Sequence, residues 1–168
     1  MSSNEQLEKL FLFRHGDYNI DQKTRVQTLA EGYREKSEGL IKAIRSRLDF
    51  QRSIGLIASS EERTSLSVSH VAKELEVIGE EINEVGSLSG AYPNLAYEEI
   101  MQVTKLKPKS QYLVCGSQGN MSSTGVLYEV LRKLGKDKEN IRSLMAARGG
   151  NYWSGFFINV RTGEWERI

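Results

Sequence analysis

Leu10-Phe11-Leu12-Phe13-Arg14-His15-Gly16 is the stretch on which the fold turns. Four apolar residues in a row, cut off by a polar tetrad ending at Asp17, have the form of a strand covered on both faces. Working outward, the same form returns at Ile54-Gly55-Leu56-Ile57-Ala58 and at Tyr112-Leu113-Val114-Cys115. A weaker strand is predicted near Ile82 to Val85. Between these runs lie helical signals. Thr28-Leu29-Ala30-Glu31 reads as a capping box opening a helix to about Leu48, with Leu40, Ile41, Ile44 and Leu48 at helical spacing. Ser59-Ser60-Glu61-Glu62 reads as a second cap, leading into a helix to about Leu75. A helix is predicted between Leu95 and Lys105, and another through Val126, Leu127, Val130, Leu131 and Leu134, with Gly135 as its stop. Phe156 to Val160 and Trp165 to Ile168, joined by Arg161-Thr162-Gly163-Glu164, predict a terminal hairpin.

Buried strands alternating with amphipathic helices predict an α/β fold, a three-layer αβα sandwich around a mainly parallel central sheet. No repeat, linker or low-complexity segment divides the chain, so residues 1–168 are read as one domain.

Composition narrows the function classes. Lys and Arg number 23 against 22 Asp and Glu, a net charge of +1, which argues against a global basic field for nucleic acid. One cysteine makes neither an internal disulfide nor a cysteine-based zinc site, and two histidines are too few for a histidine-rich metal centre. No metal and no cofactor are expected. The first residues are polar and acidic, unlike a signal peptide, and no apolar run is long enough to span a bilayer. A cytoplasmic protein without membrane attachment is the expectation.

In a parallel sheet, ligands bind beyond the carboxyl ends of the strands. Three loops meet there: Arg14 to Tyr18, Ser59 to Arg63, and Gly116 to Ser123. The first carries Arg14, His15 and Asp17. The second places Arg63 in the first turn of a helix, where backbone N–H groups suit an anion. The third offers Ser117, Gln118, Asn120, Ser122 and Ser123. Alone, Arg14 is an ordinary strand-end arginine and Arg63 a solvated helix residue. Together with a histidine, two guanidinium forks match phosphate oxygens, and a neutral imidazole nitrogen can attack phosphorus.

An apolar strand running into Arg14-His15-Gly16 resembles the signature of the histidine phosphatase superfamily, whose fold is phosphoglycerate mutase-like. Ile57-Ala58-Ser59-Ser60-Glu61-Glu62-Arg63-Thr64 resembles that family's strand-Ser-x-x-x-Arg block. Thr28, Leu29 and Gly32 resemble its Leu-Thr-x-x-Gly segment with the threonine displaced by one, and Tyr112 to Gly116 resembles its late strand. The short length and Asp17 most resemble the compact phosphohistidine phosphatase branch. The resemblance implies that His15 is the nucleophile, that Arg14 and Arg63 hold the phosphoryl oxygens, and that Arg25 is a further phosphate-binding arginine. It implies a phosphorylated small molecule or phosphoprotein as partner.

The sequence departs from that pattern where the family has a Gly-His pair after the late strand, for here it reads Gly116-Ser117. Leu66 also stands where glutamine is frequent in the family. The other histidine, His70, reads as an ordinary residue of an amphipathic helix. Ser117 can donate one hydrogen bond to phosphate but brings no positive charge. Loss of one such transition-state donor costs about 3 kcal/mol, roughly a hundredfold in rate. Asp17 is the leading candidate acid for the leaving group, and Glu84 reads as a solvated carboxylate. Three functions are therefore weighed: a phosphatase working through phospho-His15, a catalytically silent binder of phosphorylated molecules, and an interaction domain using Tyr152, Trp153, Phe156 and Phe157. Retention of His15 with both arginines disfavours the third, and core packing is the expectation for those aromatics.

Overall fold

The computed structural model describes residues 7–89, 95, 98–102, 110–118, 127–133, 135 and 151–168. In chain order the elements are β1 (Lys9–Arg14), β2 (Tyr18–Ile20), β3 (Gln27–Leu29), α1 (Tyr33–Arg45), β4 (Ser53–Ala58), α2 (Glu62–Glu74), β5 (Ile82–Glu84), a 3-10 turn (Gly86–Ser89), β6 (Ser110–Ser117), β7 (Gly155–Asn159) and β8 (Trp165–Arg167). Residues 98–102 and 127–133 are helical. Six strands form one sheet in the order β5-β4-β6-β1-β7-β8, and β2 with β3 forms a separate hairpin. The β5–β4, β4–β6 and β6–β1 pairs are parallel, whereas β1–β7 and β7–β8 are antiparallel. The sheet is mainly parallel, as the pattern of apolar runs predicts, and the C-terminal hairpin extends it past β1.

The opening tetrapeptide shows why its apolar run is continuous. Leu10 and Leu12 pack into one core with Ile57, Leu113, Cys115, Leu127 and Leu131. Phe11 and Phe13 point the other way, into a second core with Leu40, Ile44, Val68 and Val71 of the two helices. Successive strand residues face opposite sides of a sheet, so a strand buried on both sides needs an apolar residue at every position. Full burial of each such side chain contributes about 1.5–3 kcal/mol. The two cores on either face of the sheet make the three layers. Cys115 is buried in the first of them, and burial pushes its thiol well up from its ordinary value. Among the described residues no helix is long and apolar enough to cross a membrane.

Three local expectations are corrected. Thr28 does not open a helix: it lies in β3, paired with Asn19 of β2. Helix α1 begins only at Tyr33, behind Gly32, whose φ of 76° is a left-handed conformation suited to glycine, and it ends at Arg45. Helix α2 is preceded by Glu61 and has no side-chain cap; the Ser59 hydroxyl pairs with Thr64 Oγ1 at 2.7 Å instead. Gly116 and Ser117, read as loop, are the last residues of β6. Asn120, Ser122, Ser123, Val126 and Leu134 lie outside the described residues.

Candidate active site

The parallel strands bring their carboxyl ends to one edge, as expected for this sheet. Arg14 stands opposite Ser117 in the β1–β6 register, and Ala58 opposite Gly116 in the β4–β6 register. The His15 amide donates to the Ser117 carbonyl at 3.1 Å, and the Ser59 amide to that of Gly116 at 3.1 Å. The first two loops are thereby hung from the end of β6.

His15 is almost wholly buried, with 3% of its surface exposed. Its Nδ1 lies 2.7 Å from the Gly16 carbonyl oxygen. A carbonyl oxygen only accepts, so Nδ1 carries the proton in the neutral ring and Nε2 keeps its lone pair. Burial pushes the imidazole pKa below its ordinary value. The Gly16 hydrogen bond opposes that shift, and the nearby Arg63 and Arg14 guanidinium groups add to it. Gly16 is held at close quarters: a Cβ there would sit 2.0 Å from Trp153 Cζ2. Its amide donates to Ser67 Oγ of α2 at 2.9 Å.

Both arginines lie near enough to this histidine to act on its charge. The Arg14 guanidinium lies 4.0 Å from the centre of the Tyr152 ring, and that of Arg63 lies 4.7 Å from the centre of the Tyr18 ring. Each tyrosine ring is centred 5.6 Å from that of His15. Arg63 sits in the first turn of α2, where its amide donates to Gln27 Oε1 of β3 at 3.1 Å. Its Nη1 is 3.6 Å from Glu61 Oε2.

The remaining predicted residues are placed as follows. Asp17 adjoins the site with Oδ2 bound to Lys36 Nζ at 2.5 Å. Asp17 Oδ1 and Trp153 Nε1 are buried without a hydrogen-bond partner among the described residues. Ser117 is fully buried, and its hydroxyl donates to the Phe13 carbonyl at 3.1 Å. Arg25 is exposed in the turn between β2 and β3, with a φ of 62°. Glu84 is exposed at the end of β5. His70 faces α1, with Nε2 2.8 Å from Ser37 Oγ and its ring edge-on to Tyr33. Among the four aromatics weighed as a surface, Trp153 and Phe156 are buried, and Tyr152 is 41% exposed.

Sequence reading missed Tyr18, Ser67, Gln27 and Lys36 as site residues, and its expectation that Tyr152 packs in the core is corrected: the ring is 41% exposed and lies against Arg14. Tyr18 had a signal in its place directly after the Arg14 to Asp17 tetrad. Ser67 had none, and nothing in the sequence set Tyr152 beside Arg14, because only the folded chain brings them to β1.

No family model matches the chain, and no curated protein matches it in sequence. Solved structures do. The SixA protein of Nakamurella multipartitia, assigned as a phosphohistidine phosphatase, superposes with a TM-score of 0.63 at 12% identity, covering 96% of this chain and 93% of that one. Mycobacterial glucosyl-3-phosphoglycerate phosphatase gives 0.60 at 12% identity, over 96% and 97% of the two chains. Phosphoglycerate mutase from Plasmodium falciparum gives 0.53 at 11% identity, over 95% and 87%. The fold is phosphoglycerate mutase-like. At these identities the likeness is one of backbone architecture. In this phosphoglycerate mutase-like chain the sheet edge that carries Arg14, His15 and Ser117 is formed by β1 and β6, two central strands.

Proposed function

We propose that the chain is a phosphatase acting on a phosphomonoester or a phosphohistidine group through a phosphohistidine intermediate on His15. The observation that carries this reading is the hydrogen bond from His15 Nδ1 to the Gly16 carbonyl. It favours the tautomer in which Nε2 keeps its lone pair and can attack, and burial disfavours the charged ring. In the first step Nε2 attacks phosphorus, the bond from phosphorus to the leaving oxygen or nitrogen breaks, and the leaving group takes a proton. In the second, water attacks the phosphohistidine, the N–P bond breaks, and inorganic phosphate leaves with His15 neutral again. Arg14 and Arg63 bind the phosphoryl oxygens and offset the charge that develops on them. The phosphatases among the structural neighbours support this class of reaction.

Asp17 is the candidate acid, although its Oδ2 is engaged by Lys36. An imidazole leaving group asks less of such an acid than an alkoxide does. The substrate belongs to phosphorylated small molecules or phosphoproteins, and the place of action is the cytoplasm.

A second reading, a silent binder of phosphorylated molecules, is favoured by one observation. Ser117, where the family pattern has its second histidine, gives its only hydroxyl proton to the Phe13 carbonyl. Incubation with p-nitrophenyl phosphate or phosphoramidate separates the readings. A phosphatase turns over one of them and traps an acid-labile, base-stable phosphoenzyme that His15→Ala abolishes. Vanadate binding without turnover or phosphoenzyme supports the silent binder. Absence of both overturns both readings.

A further inference from the structure

We propose that Tyr18 and Tyr152 are positioning residues, each holding one arginine beside His15 through a cation–π contact between its ring and the guanidinium group. The inference rests on the reading of Arg14 and Arg63 as the phosphate cradle. The two pairs are alike in kind: Arg14 lies over Tyr152 at 4.0 Å and Arg63 over Tyr18 at 4.7 Å, with both ring centres 5.6 Å from that of His15. The rings come from unrelated elements, Tyr18 from the start of β2 and Tyr152 from the turn before β7.

The segment carrying Tyr152 is fastened to the residue it would position. The Arg14 amide donates to the Ser154 carbonyl at 2.8 Å, and the Trp153 amide donates to the Arg14 carbonyl at 3.3 Å. Trp153 has a φ of 63°, a left-handed backbone that a bulky side chain rarely adopts. Such strain persists only where the surroundings over-determine it. Here those surroundings are the two backbone bonds to Arg14 and the indole packed on Gly16.

The chemistry favours a ring over a carboxylate as the arginine's support. An arginine side chain loses much rotamer freedom when it is fixed on a ligand, and prior ordering reduces that loss. A carboxylate orders the guanidinium by its edge and neutralises it. A tyrosine ring orders it by its face and leaves its charge intact. Phosphate is met by the edge, so the cation–π contact and phosphate binding are compatible. Glu61 also forms an ion pair with Arg63, Nη1 to Oε2 at 3.6 Å, so the Tyr18 ring acts beside that pair. With Ser117 in place of a cation, Arg14 and Arg63 supply the charge at the site, and preserving it matters more.

The test is binding of inorganic phosphate or vanadate measured by calorimetry on the full chain. Tyr18→Ala and Tyr152→Ala are each expected to raise Kd about fivefold, and Tyr18→Phe and Tyr152→Phe to stay within about twofold of wild type. Tyr152→Leu, which keeps apolar bulk without a π face, is expected to behave as Tyr152→Ala and serves if the alanine variant fails to fold. In an Arg14→Ala background the loss from Tyr152→Ala is expected to vanish, and in an Arg63→Ala background to persist. Phenylalanine variants as weak as the alanine ones, alanine variants with unchanged Kd, or a loss that survives Arg14→Ala would each overturn the inference. A wild-type chain that binds neither ligand removes the phosphate cradle itself. A wild-type chain that binds, with tyrosine variants that bind as well, overturns the positioning role alone.

Discussion

The Gly16 amide donates to Ser67 Oγ at 2.9 Å, and the same hydroxyl donates to the Arg63 carbonyl at 2.8 Å. One fully buried side chain thus ties the loop after β1, which carries His15, to the turn of α2 that carries Arg63. Ser67→Ala leaves the Gly16 N–H buried without its acceptor, a loss of about 1–3 kcal/mol in urea unfolding. Because loop and helix turn shift relative to each other, kcat/KM is expected to fall about tenfold. Ser69→Ala, exposed on the same helix, is the control and should move neither quantity. Equal behaviour of the two variants would show that the tie is incidental.

Gly16→Ala is expected to be among the most disruptive single changes near the site. Its Cβ would lie 2.0 Å from Trp153 Cζ2 and 2.3 Å from Cε2, well inside contact distance. Overpacking of this kind costs about 1–3 kcal/mol or more, read as a lowered melting temperature. Adding Trp153→Leu removes the obstructing ring, so the double variant should recover part of what Gly16→Ala loses. If the two losses simply add, glycine is required there for something other than space.

What the sequence disclosed, and what it hid, follows from the range of the interactions. The Leu10 to Phe13 run was legible because each residue reports its own burial, and the two cores on opposite faces of β1 demand that pattern. Arg14, His15 and Arg63 were legible as a group because parallel strands end together, so motifs after β1 and β4 must meet. Thr28 misled because a capping box is a local pattern, and a hairpin of two three-residue strands has no apolar run to compete with it. Pairing of Thr28 with Asn19 decided the matter. Tyr152 reaches Arg14 only because β7 pairs antiparallel with β1, and composition does not encode such a register. The sequence did not disclose that Ser117 donates to the Phe13 carbonyl, a contact between β6 and β1 that only their parallel pairing creates.

Both histidines should leave a mark on the pH dependence of stability. Burial, the largest cause in each case, lowers the pKa of His15 and of His70 from the ordinary 6.5. An unfolded chain therefore takes up protons near pH 6.5, where the folded chain still resists them. The stability contribution is complete above 6.5 and is lost as pH falls through the depressed values. Urea unfolding over a pH series is expected to show this decline. His15→Gln and His70→Gln should each flatten it. If turnover runs through neutral His15 as proposed, it is expected to rise with pH through the depressed value and to be level above 6.5. A rate that falls across that range would mean that the protonated ring is the working form.

Ser117→His tests whether a cation at the end of β6 raises the proposed activity. The position ends β6 directly opposite Arg14, and the His15 amide is bonded to its carbonyl, so a substitution there falls next to the backbone that carries His15. The present hydroxyl is fully buried and bonded to the Phe13 carbonyl. Replacing it removes that bond and adds volume, so the variant is expected to lose about 1–3 kcal/mol of stability. Against that loss, a donor aimed at the transferring phosphoryl group is worth about a hundredfold in rate. The expected outcome is a chain that melts earlier yet turns over p-nitrophenyl phosphate about a hundredfold faster, with the gain abolished by His15→Ala. Lower stability without any gain in rate would place the limit elsewhere, in the supply of a proton to the leaving group.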